Sequence, residues 1–237
     1  MLIGILQTGQ APDQLMAEGG DYPDMFERLL AGHGFRFRTW RVEQMEFPAG
    51  VLDADGWLIT GSRHGAYEQH PFIAPLEAFI RAAYAAAVPV VGVCFGHQII
   101  AQAMGGRVER FAGGWSVGPT DYDFGGESLR LNAWHRDQVV AVPATARVVA
   151  SSDFCASAAL LYDDRMFSVQ AHPEFAPEFV DGLMRTRGPG LVPDALMQAA
   201  SARLAEPLDR SDMAGRIAAF FRMPRPAPDV TQAETAA

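Results

Sequence analysis

The chain has 237 residues, of which 49% are hydrophobic and 20% charged, proportions typical of a globular protein that buries a sizeable core. Its formal net charge of -9 and the lack of any Lys/Arg block argue against a nucleic-acid partner, because phosphate binding requires clustered basic residues. Two cysteines are too few for a disulfide framework, and no apolar stretch approaches the roughly 20 residues that span a membrane.

The first half of the chain alternates between strand and helix patterns. Runs that suit strands occur at residues 2–6, 35–42, 56–60 and 89–93. Apolar stripes bounded by Pro and Gly indicate helices at residues 21–31, 75–87 and 99–104. This alternation predicts an α/β fold with a central, mostly parallel sheet flanked by helices. The first run is too short for a signal peptide and follows no basic residue, so we expect a cytoplasmic protein.

The second half of the chain has a different character. Residues 107–131 form short, Gly-rich, β-like segments, and residues 146–170 contain further strands. Helices return from residue 180, with a last helix at 216–222. We expect residues 1–223 to form a single domain. Residues 224–237 are rich in Pro, Ala and polar side chains, which predicts a disordered tail.

One segment combines a strand end, a cysteine and a helix start. In Gly92-Val93-Cys94-Phe95-Gly96 a buried strand meets a helix around one residue, which is the nucleophile-elbow pattern with Cys in place of Ser. The two glycines let strand and helix approach each other, and the turn presents Cys94 above the carboxyl ends of the strands. The free N–H groups at the helix N-terminus favour the thiolate, which is the form that attacks a carbonyl carbon.

A second segment, Ala171-His172-Pro173-Glu174, supplies the base that a cysteine nucleophile needs. His172 stands at the tip of a short strand, and Pro173 fixes the backbone after it. Glu174 can turn back to hold one imidazole nitrogen, which leaves the other nitrogen to take the cysteine proton. We therefore predict a catalytic triad of Cys94, His172 and Glu174.

A third strand ends at Thr60-Gly61-Ser62, upstream of the elbow. Glycine lets the backbone approach a ligand closely. The backbone N–H of Gly61, paired with that of Phe95, would then form an oxyanion hole.

Together, these three segments resemble class I glutamine amidotransferases, and the resemblance covers roughly the first 180 residues. It implies a flavodoxin-like fold in which the elbow cysteine attacks the side-chain amide of glutamine. A γ-glutamyl thioester forms, ammonia leaves, and water releases glutamate. Cys94 would be the nucleophile, His172 the base and Glu174 its orienting partner, with Gly61 and Phe95 as oxyanion donors.

The resemblance also implies which residues contact the substrate. Residues 114–117 and 133–137 match two backbone segments that grip the amino and carboxylate ends of glutamine in relatives such as the amidotransferase domain of GMP synthetase. The residues that we predict to bind substrate are Ser62, Gln98, Trp115, Ser116, Trp134 and His135.

Three classes of function stay open. The sequence contains neither a GxxxxGK[ST] phosphate loop nor a Ser-Gly-Gly pyrophosphatase motif, so we expect no ATP-dependent activation of an ammonia acceptor. The chain would then serve a separate synthetase by supplying its glutaminase activity. It would otherwise act alone as a γ-glutamyl peptidase, as some stand-alone relatives with a Cys-Phe-Gly-His-Gln elbow do. The third class is a non-catalytic module that binds a ligand or senses redox state through Cys94. The two hydrolytic reactions require no metal and no organic cofactor.

Other polar residues have plainer interpretations. We expect Cys155 to be a buried small hydrophobic residue. His97, in the helix of the elbow, is expected to point into the protein. His64 and His70 belong to a polar loop that we place at the mouth of the site. His135 has no second imidazole nearby in sequence, and its surroundings match no common metal-site spacing.

Overall fold

A computed structural model describes residues 1–225. The predicted tail, residues 224–237, falls almost entirely on residues 226–237, which lie outside the described residues. Among residues 1–225, no helix is both long enough and apolar enough to cross a membrane.

A seven-stranded sheet forms the centre of the molecule. The strands of the described chain are β1 (Leu2–Leu6), β2 (Arg36–Trp40), β3 (Gly56–Ile59), β4 (Val90–Val93), β5 (Arg107–Arg110), β6 (Ser116–Asp123), β7 (Ser128–His135), β8 (Asp137–Ala141), β9 (Ala146–Ala150), β10 (Ala159–Tyr162) and β11 (Met166–Val169). The sheet has the order β2-β1-β3-β4-β11-β10-β9. Its strands from β2 to β11 are parallel, and β10 and β9 complete one edge in antiparallel fashion. The prediction of a mostly parallel sheet is confirmed.

The central strands owe their composition to their position. β3 and β4 lie inside the sheet, and every residue of both is buried. A strand covered on both faces has no need for alternating polarity, so these two are continuous apolar runs. β2 lies at the edge, and its more exposed residues alternate with less exposed ones.

Helices cover both faces of the sheet, as predicted. They are α1 (Asp13–Gly19), α2 (Tyr22–Leu29), α3 (Ile73–Ala85), α4 (Phe95–Ala103), α5 (Pro177–Thr186), α6 (Asp194–Arg203) and α7 (Arg210–Arg222). One face is covered by α3 and α4, and its buried core includes Trp57, Leu76, Ile80 and Ile99. The other face is covered by α2 and α7, and its core includes Ile5, Phe26, Ile217 and Phe221.

Two antiparallel strand pairs stand apart from the sheet, β5 with β8 and β6 with β7. In the longer pair, Ser116 lies opposite His135. This hairpin reaches the central sheet just beyond β11, where the N–H of His172 donates to the Asn132 carbonyl at 2.8 Å. The β6–β7 hairpin thereby becomes one wall above the carboxyl ends of the strands.

Three helices differ from the expectation. α1 has no counterpart among the predicted helices, because Leu15 is its only buried residue and no apolar stripe marks it. α4 begins at Phe95 rather than at residue 99, so it starts immediately after the cysteine. α7 begins at Arg210 rather than at residue 216, since Met213 and Ala214 extend its buried face toward the N-terminus.

Candidate active site

The carboxyl ends of β3, β4 and β11 are neighbours in the sheet. The turn at Gly61 follows β3, Cys94 follows β4, and His172 lies just beyond β11. Parallel sheets of this type collect their ligand-binding loops at this edge. The three segments singled out in the sequence therefore meet in one place.

Cys94 is the residue around which the strand turns into the helix. Its φ of 52° and ψ of -101° lie in a region that non-glycine residues rarely adopt. Its N–H donates to the Val169 carbonyl at 2.9 Å, and its own carbonyl accepts from the N–H of Gln98 at 3.0 Å. These two hydrogen bonds hold the strained turn from both sides.

The two glycines of the elbow have no room for a side chain. A Cβ on Gly92 would lie 2.4 Å from the carbonyl oxygen of Gly96, and a Cβ on Gly96 would lie 2.3 Å from the carbonyl oxygen of Ile59. Both distances are far inside van der Waals contact. The close approach of β4, α4 and β3 therefore depends on glycine at these two positions.

The imidazole of His172 is fixed by its neighbours. Its Nδ1 lies 2.6 Å from Oε1 of Glu174, and its ring stacks on Phe175 with centroids 3.9 Å apart and planes at 4°. Glu174 is buried, and among the described residues its second carboxylate oxygen has no hydrogen-bond partner. Cys94 lines the same cavity as this imidazole, and its charge acts on the ring. Because Nδ1 is occupied by Glu174, the ring has Nε2 left for Cys94.

The charges around His172 control its protonation. Burial lowers the pKa of His172, but the charges of Cys94 and Glu174 and the hydrogen bonds to both outweigh burial and raise the pKa to about 10. At neutral pH the raised pKa favours the imidazolium form of His172. An imidazolium beside a cysteine is the arrangement in which a thiolate can attack a carbonyl carbon without a prior proton transfer.

The turn after β3 closes over the same pair. A Cβ on Gly61 would lie 3.1 Å from Cε1 of His172 and 3.9 Å from Cβ of Cys94. Within residues 1–225, neither the N–H of Gly61 nor that of Phe95 donates to another protein group. Both amides are thus free for a ligand oxygen, which is what an oxyanion hole requires.

A cavity of about 350 Å³ lies between this sheet edge and the β6–β7 hairpin. Cys94 and His172 both line it. Its charged wall carries four guanidinium groups and two carboxylates, from Arg63, Arg110, Arg136, Arg187, Glu68 and Asp137. The excess of positive charge suits an anionic ligand.

Most residues predicted to bind substrate do line the cavity, namely Ser62, Gln98, Trp115, Trp134 and His135. The side chain of Ser116 instead lines a separate cavity of about 360 Å³ beside α6. Its predicted contact with substrate runs through the backbone of residues 114–117, so it stays a prediction.

Gln98 lies at the cavity with its amide already engaged. Its Nε2 donates to the carbonyl of Asp137 at 3.0 Å and to Oε1 of Gln170 at 3.2 Å. The two N–H bonds are therefore used within the protein, and the side-chain oxygen is the atom left for a ligand. The side chain of Phe95 is buried in the core, so only its backbone faces the site.

The cavity wall formed by the β6–β7 hairpin and the residue after it contains three nitrogen atoms without a hydrogen bond in the described part of the chain. Nε1 of Trp115, Nε2 of His135 and Nε of Arg136 are buried, and none has a hydrogen-bond partner within residues 1–225. Burial lowers the pKa of His135 to about 3, so this imidazole is neutral. Buried polar groups are normally paired, and a polar ligand in the cavity is one way to pair these.

Sequence reasoning missed several residues that hold the site. The hydroxyl of Thr8 lies 2.9 Å from the Thr60 carbonyl oxygen and 3.1 Å from that of Gly61, which fixes the turn after β3. Arg210 donates to the carbonyls of Pro173 and Glu174 at 2.8 and 3.0 Å. Phe175 directly follows the His-Pro-Glu segment, and that position was the one available signal for it.

Two other titratable residues are structural, as expected. Nδ1 of His97 lies 2.8 Å from the hydroxyl of Ser168, and burial lowers the pKa of His97 to about 3. Burial raises the pKa of Cys155 to about 12, so its thiol stays protonated and unreactive.

Comparison with known proteins gives a consistent result. The family model described as glutamine amidotransferase class-I matches residues 28–184. Gamma-glutamyl peptidase 2 of Arabidopsis thaliana is 31% identical over 68% of this chain and 71% of its own length. A glutamine-hydrolyzing GMP synthase subunit of Halobacterium salinarum is 36% identical over 54% of this chain and 71% of its own. A crystal structure of a glutamine amido transferase from Methylobacillus flagellatus has a TM-score of 0.72 at 25% identity, covering 93% of this chain and 91% of that one. With the fold and the motif-bearing strand ends described above, these matches mean that the chain belongs to the class I glutamine amidotransferase family.

Proposed function

We propose that this protein hydrolyses γ-glutamyl amides through a thioester on Cys94, within a single domain of residues 1–223. The observation that carries the proposal is the juxtaposition of Cys94, His172 and Glu174 at adjacent strand ends, with Nδ1 of His172 2.6 Å from the Glu174 carboxylate. The arrangement supplies a nucleophile, a proton carrier and an orienting carboxylate. Glutamine is the simplest substrate with the required bond.

In the first half of the reaction, the Cys94 thiolate attacks the γ-carbonyl carbon and a C–S bond forms. The carbonyl oxygen becomes an oxyanion, which the N–H groups of Gly61 and Phe95 stabilise. His172 then gives its Nε2 proton to the departing nitrogen, so the C–N bond breaks and ammonia or an amine leaves. Glu174 keeps the imidazolium oriented and balances its charge.

In the second half, water replaces the amine. The neutral His172 takes a proton from the water as it attacks the thioester carbon, and the same two amides hold the second oxyanion. The C–S bond breaks, glutamate leaves, and the thiolate–imidazolium pair is restored. Each proton taken up by His172 is thus returned within one turnover.

A γ-glutamyl peptide is the second candidate substrate. Four guanidinium groups line the cavity, which is more positive charge than the one carboxylate of glutamine requires. A γ-glutamyl peptide brings a further carboxylate on its leaving group. The relative named gamma-glutamyl peptidase 2 supports this choice, and the relative from the GMP synthase of Halobacterium salinarum supports glutamine with a partner synthetase.

The test is product release by the purified protein from L-glutamine and from glutathione, each also measured with Cys94→Ala. We expect Cys94→Ala to abolish both activities while its thermal unfolding stays close to that of the wild type. Faster cleavage of glutathione would identify a stand-alone peptidase. Slow ammonia release from glutamine alone would make capture of a synthetase partner the next step. Full activity in Cys94→Ala would refute the mechanism.

A further inference from the structure

The polar loop after Ser62 places three potential metal ligands at the mouth of the cavity. A ring nitrogen of His64, one of His70 and a carboxylate oxygen of Glu68 all lie within 4.8 Å of one another. Oε2 of Glu68 is 2.8 Å from Nε2 of His70 and 3.6 Å from Nδ1 of His64. We propose that these three residues form a binding site for a divalent transition metal ion, for which Zn²⁺ is the best match.

The donor set selects the class of ion. Zn²⁺ takes imidazole nitrogen and carboxylate oxygen at about 2.0 to 2.2 Å, so two ligands of a tetrahedral ion lie about 3.4 Å apart. The two separations from Glu68 lie on either side of that value, and the Glu68 side chain is exposed enough to adjust. Ca²⁺ and Mg²⁺ prefer oxygen ligands throughout, which two imidazoles do not provide. Water completes the coordination.

A separate contact with Glu43 orients the imidazole of His64, one of the three proposed metal ligands. Glu43, in the 3₁₀ turn Val42–Gln44, places Oε1 3.1 Å from Nε2 of His64. Nε2 is the nitrogen that faces away from Glu68, so Glu43 holds the proton there and leaves the lone pair on Nδ1. Metal-binding histidines characteristically have such a carboxylate or carbonyl on their second nitrogen.

The second histidine is also oriented before any metal arrives. The ring of His70 stacks on Phe72 at 19°, with centroids 5.9 Å apart, and lies 3.9 Å from the ring of His64. Two side chains set by packing and one exposed carboxylate make a site that needs little rearrangement. Preorganisation of this kind lowers the entropic cost of binding.

The position of the cluster gives the metal a consequence for the active site. His64 and Glu68 line the same cavity as Cys94, whereas His70 does not. An ion here would replace the negative charge of Glu68 with net positive charge at the entrance, and it would cross-link the loop. The site does not depend on the proposed reaction, because it uses none of the triad residues.

The first experiment measures Zn²⁺ binding to Cys94→Ala protein by competition with a chromophoric chelator. Removing Cys94 keeps the reactive thiol from acting as a ligand. We expect one Zn²⁺ per chain. His70→Gln and Glu68→Gln should each weaken the affinity about 100-fold or more, and Glu43→Ala about 10-fold to 100-fold, the range found for outer-shell partners. His33→Gln, which changes a histidine outside the cluster, should leave the affinity unchanged.

Two results would overturn the proposal. One is a Zn²⁺ affinity that falls less than tenfold in both His70→Gln and Glu68→Gln, since both side chains are partly exposed and their loss leaves the fold intact. The other is metal binding that disappears in Cys94→Ala, because the ion would then sit on the thiol. Co²⁺ substitution in the wild type separates the cases, as visible bands without a thiolate charge-transfer band indicate nitrogen and oxygen ligands.

Limited proteolysis provides a second readout on the wild type. Arg63 is exposed and directly precedes His64, so trypsin cleavage after Arg63 reports on the loop. We expect Zn²⁺ to slow this cleavage at least fivefold in the wild type and to have no effect in His70→Gln. Equal protection in both proteins would contradict a site that contains His70.

Discussion

The two walls of the active-site cavity are built in opposite ways. On the sheet side, Nδ1 of His172 is paired with Glu174, and both backbone polar groups of Cys94 are hydrogen-bonded. On the hairpin side, Trp115 and His135 each carry a buried nitrogen that has no partner within residues 1–225. Apart from the second carboxylate oxygen of Glu174, the sheet wall is therefore organised without a ligand, whereas the hairpin wall presents unpaired nitrogens to one.

Under the proposed function, this difference assigns the chemical step to the sheet side of the cavity and ligand binding to the hairpin side. Groups held in place in advance lower the barrier of the chemical step, since no reorganisation is needed in the transition state. Groups that gain their partner from the ligand contribute to its binding. Substitutions on the sheet side should therefore act on kcat, and substitutions on the hairpin side should act on KM.

The largest effect is expected on the sheet side. His172→Ala should lower kcat roughly 10⁶-fold and Glu174→Gln roughly 10⁴-fold, as for the base and the orienting carboxylate of serine triads. The smaller loss for Glu174→Gln follows because it orients the imidazole but carries no proton. Steady-state kinetics with the better of the two substrates measures both. Equal losses would contradict the division of roles between the two residues.

The packing of the elbow can be tested apart from its chemistry. Gly92→Ala should destabilise the protein by about 3 kcal/mol, because the added Cβ meets the carbonyl group of Gly96, which is backbone and cannot withdraw cheaply. Gly215→Ala is the matched control. Gly215 lies in α7 with nothing within 4 Å of an added Cβ, so alanine should stabilise by roughly 0.5 to 1 kcal/mol. Urea unfolding of both variants would show opposite signs, and similar values would argue against the tight elbow.

Stability should be greatest near pH 6.5. His97 and His135 have pKa values of about 3 in the folded protein, so stability is lost as pH falls from about 6.5 toward 3. His172 has a pKa raised to about 10, so its contribution is lost as pH rises from about 6.5 toward 10. Each histidine accounts for about 1.4 kcal/mol per pH unit inside its window.

Urea unfolding at pH 4.5, 6.5 and 8.5 measures this dependence. His172→Ala is the control for the alkaline side. It should flatten the decline above pH 6.5 and also reduce the acid-side slope somewhat, because the charge of His172 contributes to the low pKa of His135. Stability that keeps rising above pH 7.5 in the wild type would contradict the raised pKa of His172.

The smallest effect is expected on the hairpin side. Trp115→Phe removes the unpaired Nε1 donor, and it should raise KM about 2-fold to 10-fold while kcat changes less than 2-fold. Trp57→Phe removes a donor of the same type whose hydrogen bond, to the Val51 carbonyl at 2.8 Å, lies in the core. That control should lower stability and leave KM unchanged. A fall in kcat for Trp115→Phe would place this residue with the chemical step instead.

The sequence predicts the structure best where the backbone geometry allows only one type of residue. Gly92 and Gly96 surround Cys94 because a Cβ at either position would collide with backbone atoms, so the elbow leaves a local signature. The strands that end at the site are buried on both faces, so they appear as short apolar runs. Both signals come from a few neighbouring residues, and both predicted the structure well.

The features of the site that could not be predicted from the sequence depend on contacts between distant parts of the chain. Arg210 reaches Pro173 and Glu174 from α7, and no local pattern marks an arginine for that purpose. The side chain of Ser116 lies in a separate cavity beside α6, and its place there depends on how the β6–β7 hairpin packs against that helix. The partnership of Glu43 with His64 likewise joins two loops whose proximity is set by the sheet order.

The contact of Arg210 also bears on how the candidate site is assembled during synthesis. A nascent chain that has emerged only as far as residue 209 already contains Cys94, His172 and Glu174, yet nothing from α7 holds the turn between the last two. The turn between His172 and Glu174 is therefore fixed in place only after residue 210 has been synthesised and α7 has packed beside it.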